Sequence, residues 1–125
     1  MQSVMVLALL GSSAALGLWL GIQYLRRVRS KPLLIGLHLI LGGASMEGTV
    51  MLRGTLADGG GSLAGVVSAV TLGNAVAVLL FTAMLSGLLT PLIAQHSPRK
   101  ITSVALATHA AVGALGFLLF IAWAL

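Results

Sequence analysis

Two histidines lie within apolar segments of this sequence, and each is followed four residues later by a glycine. His38 and Gly42 belong to LHLILGGA, and His109 and Gly113 belong to THAAVGAL. The two pairs are related by one offset of 71 residues (109 − 38 and 113 − 42). An imidazole nitrogen can bind a metal, transfer a proton or hydrogen-bond a neighbouring helix. Because the pattern occurs twice, we interpret the chain as two copies of a helical hairpin, each presenting one histidine.

The composition places the chain in a lipid bilayer. Of its 125 residues, 58% are hydrophobic and only 7% are charged, and the mean hydropathy of +1.10 lies far above the soluble globular range. There is no cysteine, which excludes a disulfide framework, a thiolate metal site and a covalently attached c-type haem. The net charge of +5 does not indicate nucleic-acid binding, because most basic residues lie in short turns between apolar segments, as in membrane proteins.

Four apolar segments are each long enough to cross a membrane as a helix. A helix rises about 1.5 Å per residue, so about 20 residues cross a hydrocarbon core of about 30 Å. The predicted spans are residues 4–25, 32–52, 66–91 and 101–125. Residues 55–65, which include Asp58 and the glycines at 59–61, are predicted to form a loop. A basic turn is expected between the last two spans, formed by Gln95, His96, Pro98, Arg99 and Lys100.

The distribution of charge predicts the orientation of the spans. Basic residues follow the first and third spans, whereas the loop after the second span holds one arginine and one aspartate. The positive-inside rule then places the basic turns in the cytoplasm and both termini outside, in a bacterial-type inner (plasma) membrane. The expected fold is all-α: one transmembrane domain, residues 1–125, forming an up-down-up-down four-helix bundle from two parallel two-helix repeats, about 1–54 and 66–125.

The two histidines are expected at equal depth on diagonally opposed helices. The second and fourth spans run in the same direction, and each histidine lies nine residues after a basic residue, Arg29 or Lys100. In an up-down-up-down bundle these spans form a diagonal pair, which is wider than the roughly 8–10 Å between directly packed helices. The residues predicted on the histidine faces are mostly small: Gly42, Ser45 and Thr49 in one span, and Gly113, Gly116 and Phe120 in the other.

This geometry suits a flat macrocycle held between two axial imidazoles. Haem iron accepts histidine as an axial ligand, and paired histidines leave no open position for oxygen, so electron transfer is the favoured chemistry. We predict one haem b per chain, with His38 and His109 as iron ligands and with Gly42, Ser45, Gly113 and Gly116 beside it. The basic turns would meet its propionates. Two other interpretations stay open: histidines that only hydrogen-bond neighbouring helices, and histidines that handle protons or another metal.

The segments HLILG (38–42) and HAAVG (109–113), on four spans, resemble those of cytochrome b561-like and other small membrane b-type cytochromes. The resemblance implies a helical bundle with haem between histidines of different helices, and electron exchange with a quinone or a partner redox subunit. The eukaryotic b561 pattern needs four histidine ligands for two haems, whereas this chain has three histidines. His96 does not complete a second pair, because the 71-residue offset aligns it with Leu25. The resemblance therefore implies one b-type haem.

Hydrolytic enzyme classes do not fit the sequence. The two acidic residues are Glu47, within a span, and Asp58, in a loop, so neither a carboxylate pair nor a Ser/His/Asp triad can be assembled with the histidines. A zinc site would need a third protein ligand near the two histidines, for which His96 is the candidate. We therefore expect an electron-transfer or accessory membrane subunit rather than a catalyst.

A cofactor-free structural or assembly subunit of a larger membrane complex is the competing prediction. Gly17 and Gly21 have the spacing that lets a second helix approach closely, and a homo-oligomer or other membrane subunits would be the partners. Glu47 lies nine residues after His38, on the opposite side of its helix, where it would face a partner subunit or handle a proton. Asn74 is its expected hydrogen-bond partner within the chain. A matched histidine pair is the feature that a scaffold does not need.

Overall fold

The structure is a computed structural model that describes residues 1–57, 62–63 and 67–124. Its four long helices are α1 (Gln2–Leu25), α2 (Pro32–Ala57), α3 (Ala69–His96) and α4 (Arg99–Ala124). Two short strands, β1 (Ser62–Leu63) and β2 (Val67–Ser68), pair antiparallel between α2 and α3. All four helices are long and apolar enough to cross a membrane. The predicted all-α membrane bundle is confirmed, and the chain is a multi-pass membrane protein.

Helix α2 is longer than the sequence predicts. The prediction ends the span near Leu52 and begins a loop at Thr55, whereas α2 continues through both residues to Ala57. The Thr55 hydroxyl fits within this helical turn, because it donates a hydrogen bond to the Leu52 carbonyl at 2.9 Å. Asp58 and the glycines at 59–61 of the predicted loop lie outside the described residues.

Helix α3 differs from its predicted bounds at both ends. It begins at Ala69 rather than near residue 66, and the Ser68 side chain caps it by accepting a first-turn backbone N–H at 3.2 Å. The helix then passes Pro91 and ends at His96, so Gln95 and His96 are helical rather than part of a turn. Proline removes one backbone donor, and a long apolar membrane helix tolerates that loss because its other backbone bonds persist.

The turn before α4 is shorter than predicted. Arg99 and Lys100 are the first two residues of α4 rather than turn residues. The Pro98 carbonyl accepts the amides of Ile101 and Thr102 at 2.9 and 3.3 Å, which closes the first turn of the helix. Proline disfavours helical backbone at the preceding residue, and Ser97 before Pro98 is extended, with φ −126° and ψ 152°. Helix α3 therefore stops before Ser97, and α4 begins directly after Pro98.

The packing order of the helices places α2 and α4 on opposite sides of the bundle. Helix α1 packs against α2 and α4, and α3 packs against the same two helices. The diagonal pairs are therefore α1 with α3, and α2 with α4. This is the predicted order, and it sets the two helices that carry His38 and His109 across the bundle axis from each other.

Burial at the axis repeats between the two hairpins. In the first helix of each hairpin the offset is 70 residues, with Val6, Leu10 and Ser13 buried in α1, and Val76, Leu80 and Ala83 buried in α3. In the second helices the offset is 71, with Ser45 and Thr49 buried in α2, and Gly116 and Phe120 buried in α4. The offset of 71 thus relates α2 to α4, whereas α1 and α3 are related by 70. By the offset of 70, His96 aligns with Arg26, which is again not a histidine.

Phe120 is the largest fully buried side chain in the described part of the chain. We expect Phe120→Ala to lower the free energy of unfolding by about 2 kcal/mol, from a cavity term of about 24 cal/mol per Å³ over roughly 100 Å³. Hydrophobic transfer adds little, because the unfolded helices remain in the bilayer. Reversible unfolding in mixed micelles measures the change. Leu118→Ala, at an exposed position of the same helix, is the control, and equal losses in both variants would contradict the core role of Phe120.

Candidate functional site

The imidazole rings of His38 and His109 meet at the centre of the bundle. Their centroids are 6.0 Å apart and their planes are inclined at 87°. The rings come from the diagonal helices α2 and α4, and both residues are half-buried. The structure therefore brings together, at one depth, the two histidines that the sequence singles out.

The main chain of α1 fixes the ring of His38. Its Nδ1 lies 2.9 Å from the carbonyl oxygen of Ser13. Since a carbonyl only accepts hydrogen bonds, Nδ1 carries the hydrogen and donates it, which leaves a lone pair on Nε2 of the neutral ring. The Ser13 hydroxyl also lies 3.3 Å from Nδ1, and it donates to the His38 carbonyl at 3.4 Å. Two contacts from one serine thus hold the ring and its tautomer.

His109 has the same environment in the second hairpin. Its Nδ1 donates to the Ala83 carbonyl at 2.9 Å, and Ser13 and Ala83 are related by the 70-residue offset. The Ser86 hydroxyl lies 3.3 Å from Nδ1 and donates to the same carbonyl at 2.9 Å. Both rings therefore have Nδ1 bonded to a main-chain carbonyl and Nε2 left as the possible ligand.

A glycine on the neighbouring helix makes room for each imidazole. A Cβ atom on Gly17 would lie 2.8 Å from Cε1 of His38, and one on Gly87 would lie 2.7 Å from Cε1 of His109. These distances are shorter than carbon atoms tolerate, so each ring rests directly on bare backbone. Gly21, by contrast, has no atom within 4 Å of an added Cβ. Gly17 therefore makes room for His38 of its own chain. The sequence interpretation missed this role, because it paired Gly17 with Gly21 as a contact for a second helix.

The glycines one turn after the histidines face the same neighbouring helices. The atom nearest to an added Cβ is the Ser13 hydroxyl for Gly42, at 3.5 Å, and the Ala83 Cβ for Gly113, at 3.8 Å. Both distances are ordinary van der Waals contacts. The two predicted glycines thus adjoin the residues that hold the rings, but an alanine would fit at either position.

Ser45 and Gly116 occupy matched buried positions one turn further along. Ser45 is fully buried, and its hydroxyl donates to the carbonyls of Leu41 and Gly42 at 2.7 and 3.0 Å. The hydroxyl hydrogen of Ser45 is therefore bonded within α2. Gly116 allows close packing against α3, because an added Cβ would lie 3.0 Å from a methyl carbon of Leu80. Both residues line the interior of the bundle beyond the rings.

The separation of the two rings fits two axial ligands of one metal ion. Metal–imidazole bonds are about 2 Å long and each ring centre lies about 1 Å behind its nitrogen, so opposed rings have centroids about 6 Å apart. Metal-binding histidines commonly donate their other N–H to a carbonyl, as both rings do. Among the described residues no group of three or more His, Cys, Asp or Glu side chains is found. A metal ion bound by these two histidines would need its remaining ligands from a cofactor, as a porphyrin supplies them to haem iron.

Comparisons with known protein families, with curated proteins and with solved structures found no match. The resemblance to small b-type cytochromes therefore stays a prediction, based on the two histidine motifs. The ring geometry also suits direct contact, since edge-to-face aromatic pairs prefer centroids about 4.5–7 Å apart. Histidines that only pack and hydrogen-bond remain the alternative interpretation of this site.

The third histidine and the membrane acid lie away from the pair. His96 is exposed at the end of α3, and its Nδ1 donates to the Leu92 carbonyl of its own helix at 3.1 Å. Glu47 is exposed on α2. Asn74 accepts a hydrogen bond from Arg53 at 2.7 Å, so the structure pairs it with that arginine rather than with Glu47 as expected.

Proposed function

We propose that this protein transfers electrons in the membrane with one b-type haem held between His38 and His109. The observation that supports the proposal is the pair of rings, brought from diagonal helices to a centroid separation of 6.0 Å with both Nδ1 atoms bonded to carbonyls. Haem iron bound between two imidazoles supplies one-electron chemistry without an open position for oxygen.

The residues around the rings have distinct tasks in this proposal. The carbonyls of Ser13 and Ala83 fix the tautomer in which Nε2 is the ligand atom. Gly17 and Gly87 let each ring lie against the backbone. The buried layer beyond the rings, which includes Phe120, excludes water from that side of the site. A dry and rigid environment suits electron transfer because little must reorganise when the charge changes.

The cellular setting is part of the same proposal. The positive-inside rule supports a cytoplasmic position for the two basic turns and an external position for both termini, in a bacterial-type inner membrane. The electron donor or acceptor is a quinone in the bilayer or a redox subunit that docks on the protein. Little polar surface lies outside the four spans, so a docking subunit would contact the turns or the exposed face of α2 that carries Glu47.

The experiment that tests the proposal is a dithionite-reduced minus oxidised visible spectrum of the detergent-purified protein, expressed with ample haem. Pyridine haemochrome quantitation gives the haem content per chain. A sharp α-band of b type with about one haem per chain is expected. A featureless spectrum would reject the proposal.

The second candidate function is a cofactor-free structural or assembly subunit of a larger membrane complex. The observation that favours it is that each ring is already held in place without a cofactor, by its Nδ1 bond and by edge-to-face contact with the other ring. The exposed carboxyl of Glu47 within a span would then meet a partner helix. The same spectrum separates the two functions, because a scaffold copurifies without haem.

A further inference from the structure

A cleft of about 410 Å³ opens at the end of the bundle that carries the basic turns. It lies between the end of α1 with its following turn, the end of α3 and the start of α4. The residues with polar side chains that line it are Tyr24, Arg27, Arg29, Ser97, Arg99 and Thr102. Three arginines and three hydroxyl-bearing residues therefore border one space, and guanidinium groups are common donors to anions such as phosphate.

Among the described residues, the positive charge at this cleft has no acidic partner nearby. The chain contains two acidic residues. Glu47 is the sixteenth residue of α2, so it lies about 22 Å along the helix from Pro32 at about 1.5 Å per residue. Asp58 follows the last residue of α2 in the sequence and lies outside the described residues. Three arginines without a carboxylate leave a field that attracts an anion from outside the protein.

Three helix ends meet at the cleft. Helix α4 has 26 residues and begins at Arg99, so the positive end of its dipole lies at the cleft. At the C-terminal end of α1, three carbonyls accept hydrogen bonds from the following turn. The amides of Arg26, Arg27 and Val28 donate to Ile22, Tyr24 and Gln23 at 2.9, 3.1 and 2.9 Å. Helix α3 also ends here, at His96, so the negative end of its dipole opposes the positive end of α4. The attraction for an anion therefore depends on the arginine side chains.

Arg27 has a strained backbone at the edge of the cleft. Its φ of 60° is in the left-handed region, and it is the only non-glycine residue with positive φ in the described ranges. The turn has the hydrogen bonds of a Schellman cap, in which this position usually holds glycine. A side chain with a Cβ costs free energy there. Glycine would adopt this conformation without strain, so Arg27 can be replaced by glycine without disturbing the turn.

Arg99 is held against the wall of the cleft. Its guanidinium carbon lies 5.5 Å from the centre of the Tyr24 ring, which is within cation–π range. The Tyr24 hydroxyl is fixed in turn, because it shares a hydrogen bond of 2.9 Å with the Ser103 hydroxyl and donates to the Arg99 carbonyl at 3.4 Å. One of the three guanidinium groups is thus positioned before any anion binds.

We propose that this cleft binds the phosphate of an anionic phospholipid headgroup. Planar guanidinium groups match phosphate oxygens in two-point hydrogen bonds. A lipid is the favoured source because the cleft lies at the ends of membrane-spanning helices, and the apolar side chains of Leu25, Val28 and Leu92 are exposed at the same end. Basic pockets between helices at this level of the membrane bind anionic headgroups. The proposal does not depend on the iron ligands, since none of these residues holds the histidine pair, but haem propionates at the basic turns would compete with the lipid for the same arginines.

Native mass spectrometry of the whole protein in a neutral detergent tests the proposal. The probes are phosphatidylglycerol and phosphatidylcholine with identical acyl chains, and inorganic phosphate alone. Phosphatidylglycerol is expected to bind at least about tenfold more tightly than phosphatidylcholine. Millimolar inorganic phosphate is expected to leave the bound lipid in place, and displacement of the lipid at that concentration would overturn the assignment to a headgroup.

Arg27→Gly is the decisive variant, because glycine relieves the backbone strain while removing the guanidinium group. It is expected to fold at least as stably as the parent protein and to bind phosphatidylglycerol about tenfold more weakly. Arg26→Gly removes the same charge from the neighbouring residue, which does not line the cleft and has a φ of −75°. Its affinity is expected to stay within about twofold of the parent value. Equal weakening in the two variants would show that net charge alone attracts the lipid and would reject the site.

Discussion

Replacement of either His38 or His109 by alanine is expected to abolish the low-spin b-type absorption. In the proposed site each residue would supply one nitrogen to the haem iron, and a single histidine could not bind the iron on both faces. Loss of an outer hydrogen-bond partner of a metal ligand already lowers metal affinity by about 10–100 fold, so loss of the ligand itself should lower haem content by at least about tenfold. Visible spectra and haemochrome quantitation per chain measure both effects.

His96→Ala is the matched control for these two variants. His96 is exposed at the end of α3 and bonds only to the carbonyl of Leu92, so its removal should leave the spectrum intact. Imidazole added to His38→Ala is expected to restore part of the absorption, because the space left by the ring adjoins Gly17 and the Ser13 carbonyl. A normal spectrum in both His38→Ala and His109→Ala would remove the two-histidine proposal.

The bundle and the meeting of the histidines could be predicted because they depend on long-range regularities of the sequence. Four apolar segments of sufficient length define the spans in a membrane. Short turns make sequential helices neighbours, which places α2 diagonal to α4. The 71-residue offset between His38 and His109 then gives equal depth. None of these steps needs the detail of side-chain packing.

The groups that hold the rings could not be predicted in the same way. Ser13 and Ala83 contribute main-chain carbonyls, which every residue type possesses, so their identity carries no information. Gly17 and Gly87 are related by 70 residues rather than 71, and the change of offset hides their correspondence. A search for glycines at matched positions in α1 and α3, allowing one residue of slippage, would have found them.

The ends of the helices depended on local bonds that composition does not show. The Thr55 hydroxyl bonds back to the Leu52 carbonyl within α2, and the Ser68 side chain caps α3. Pro91 was expected to end a span, yet α3 continues to His96 because one missing backbone donor is tolerated in a long apolar helix. Asn74 bonds to Arg53 of the neighbouring helix α2 rather than to Glu47, since the Glu47 carboxyl is on the exposed side of α2.

Under the haem proposal, Gly17→Ala is expected to remove most of the cofactor although both proposed ligands, His38 and His109, remain. The added Cβ would lie 2.8 Å from Cε1 of His38 and 3.4 Å from its Nδ1, so the ring must move away from α1 and its bond to the Ser13 carbonyl must lengthen. Metal sites need their ligands within about 0.5 Å of the productive position. A decrease in haem content of about tenfold is therefore expected, comparable to the loss of an outer partner of a metal ligand. Gly87→Ala should act equally on His109.

Gly21→Ala is the control on the same helix, because no atom lies within 4 Å of its added Cβ. This variant is expected to keep nearly the parental haem content, and equal haem in Gly17→Ala and Gly21→Ala would contradict the placement of His38. Unfolding measured on the haem-free proteins separates the two functions. If the rings only pack, Gly17→Ala lowers stability and no haem is lost. If the rings hold iron, the haem content of Gly17→Ala falls by a larger factor than its loss of stability in the haem-free state would produce.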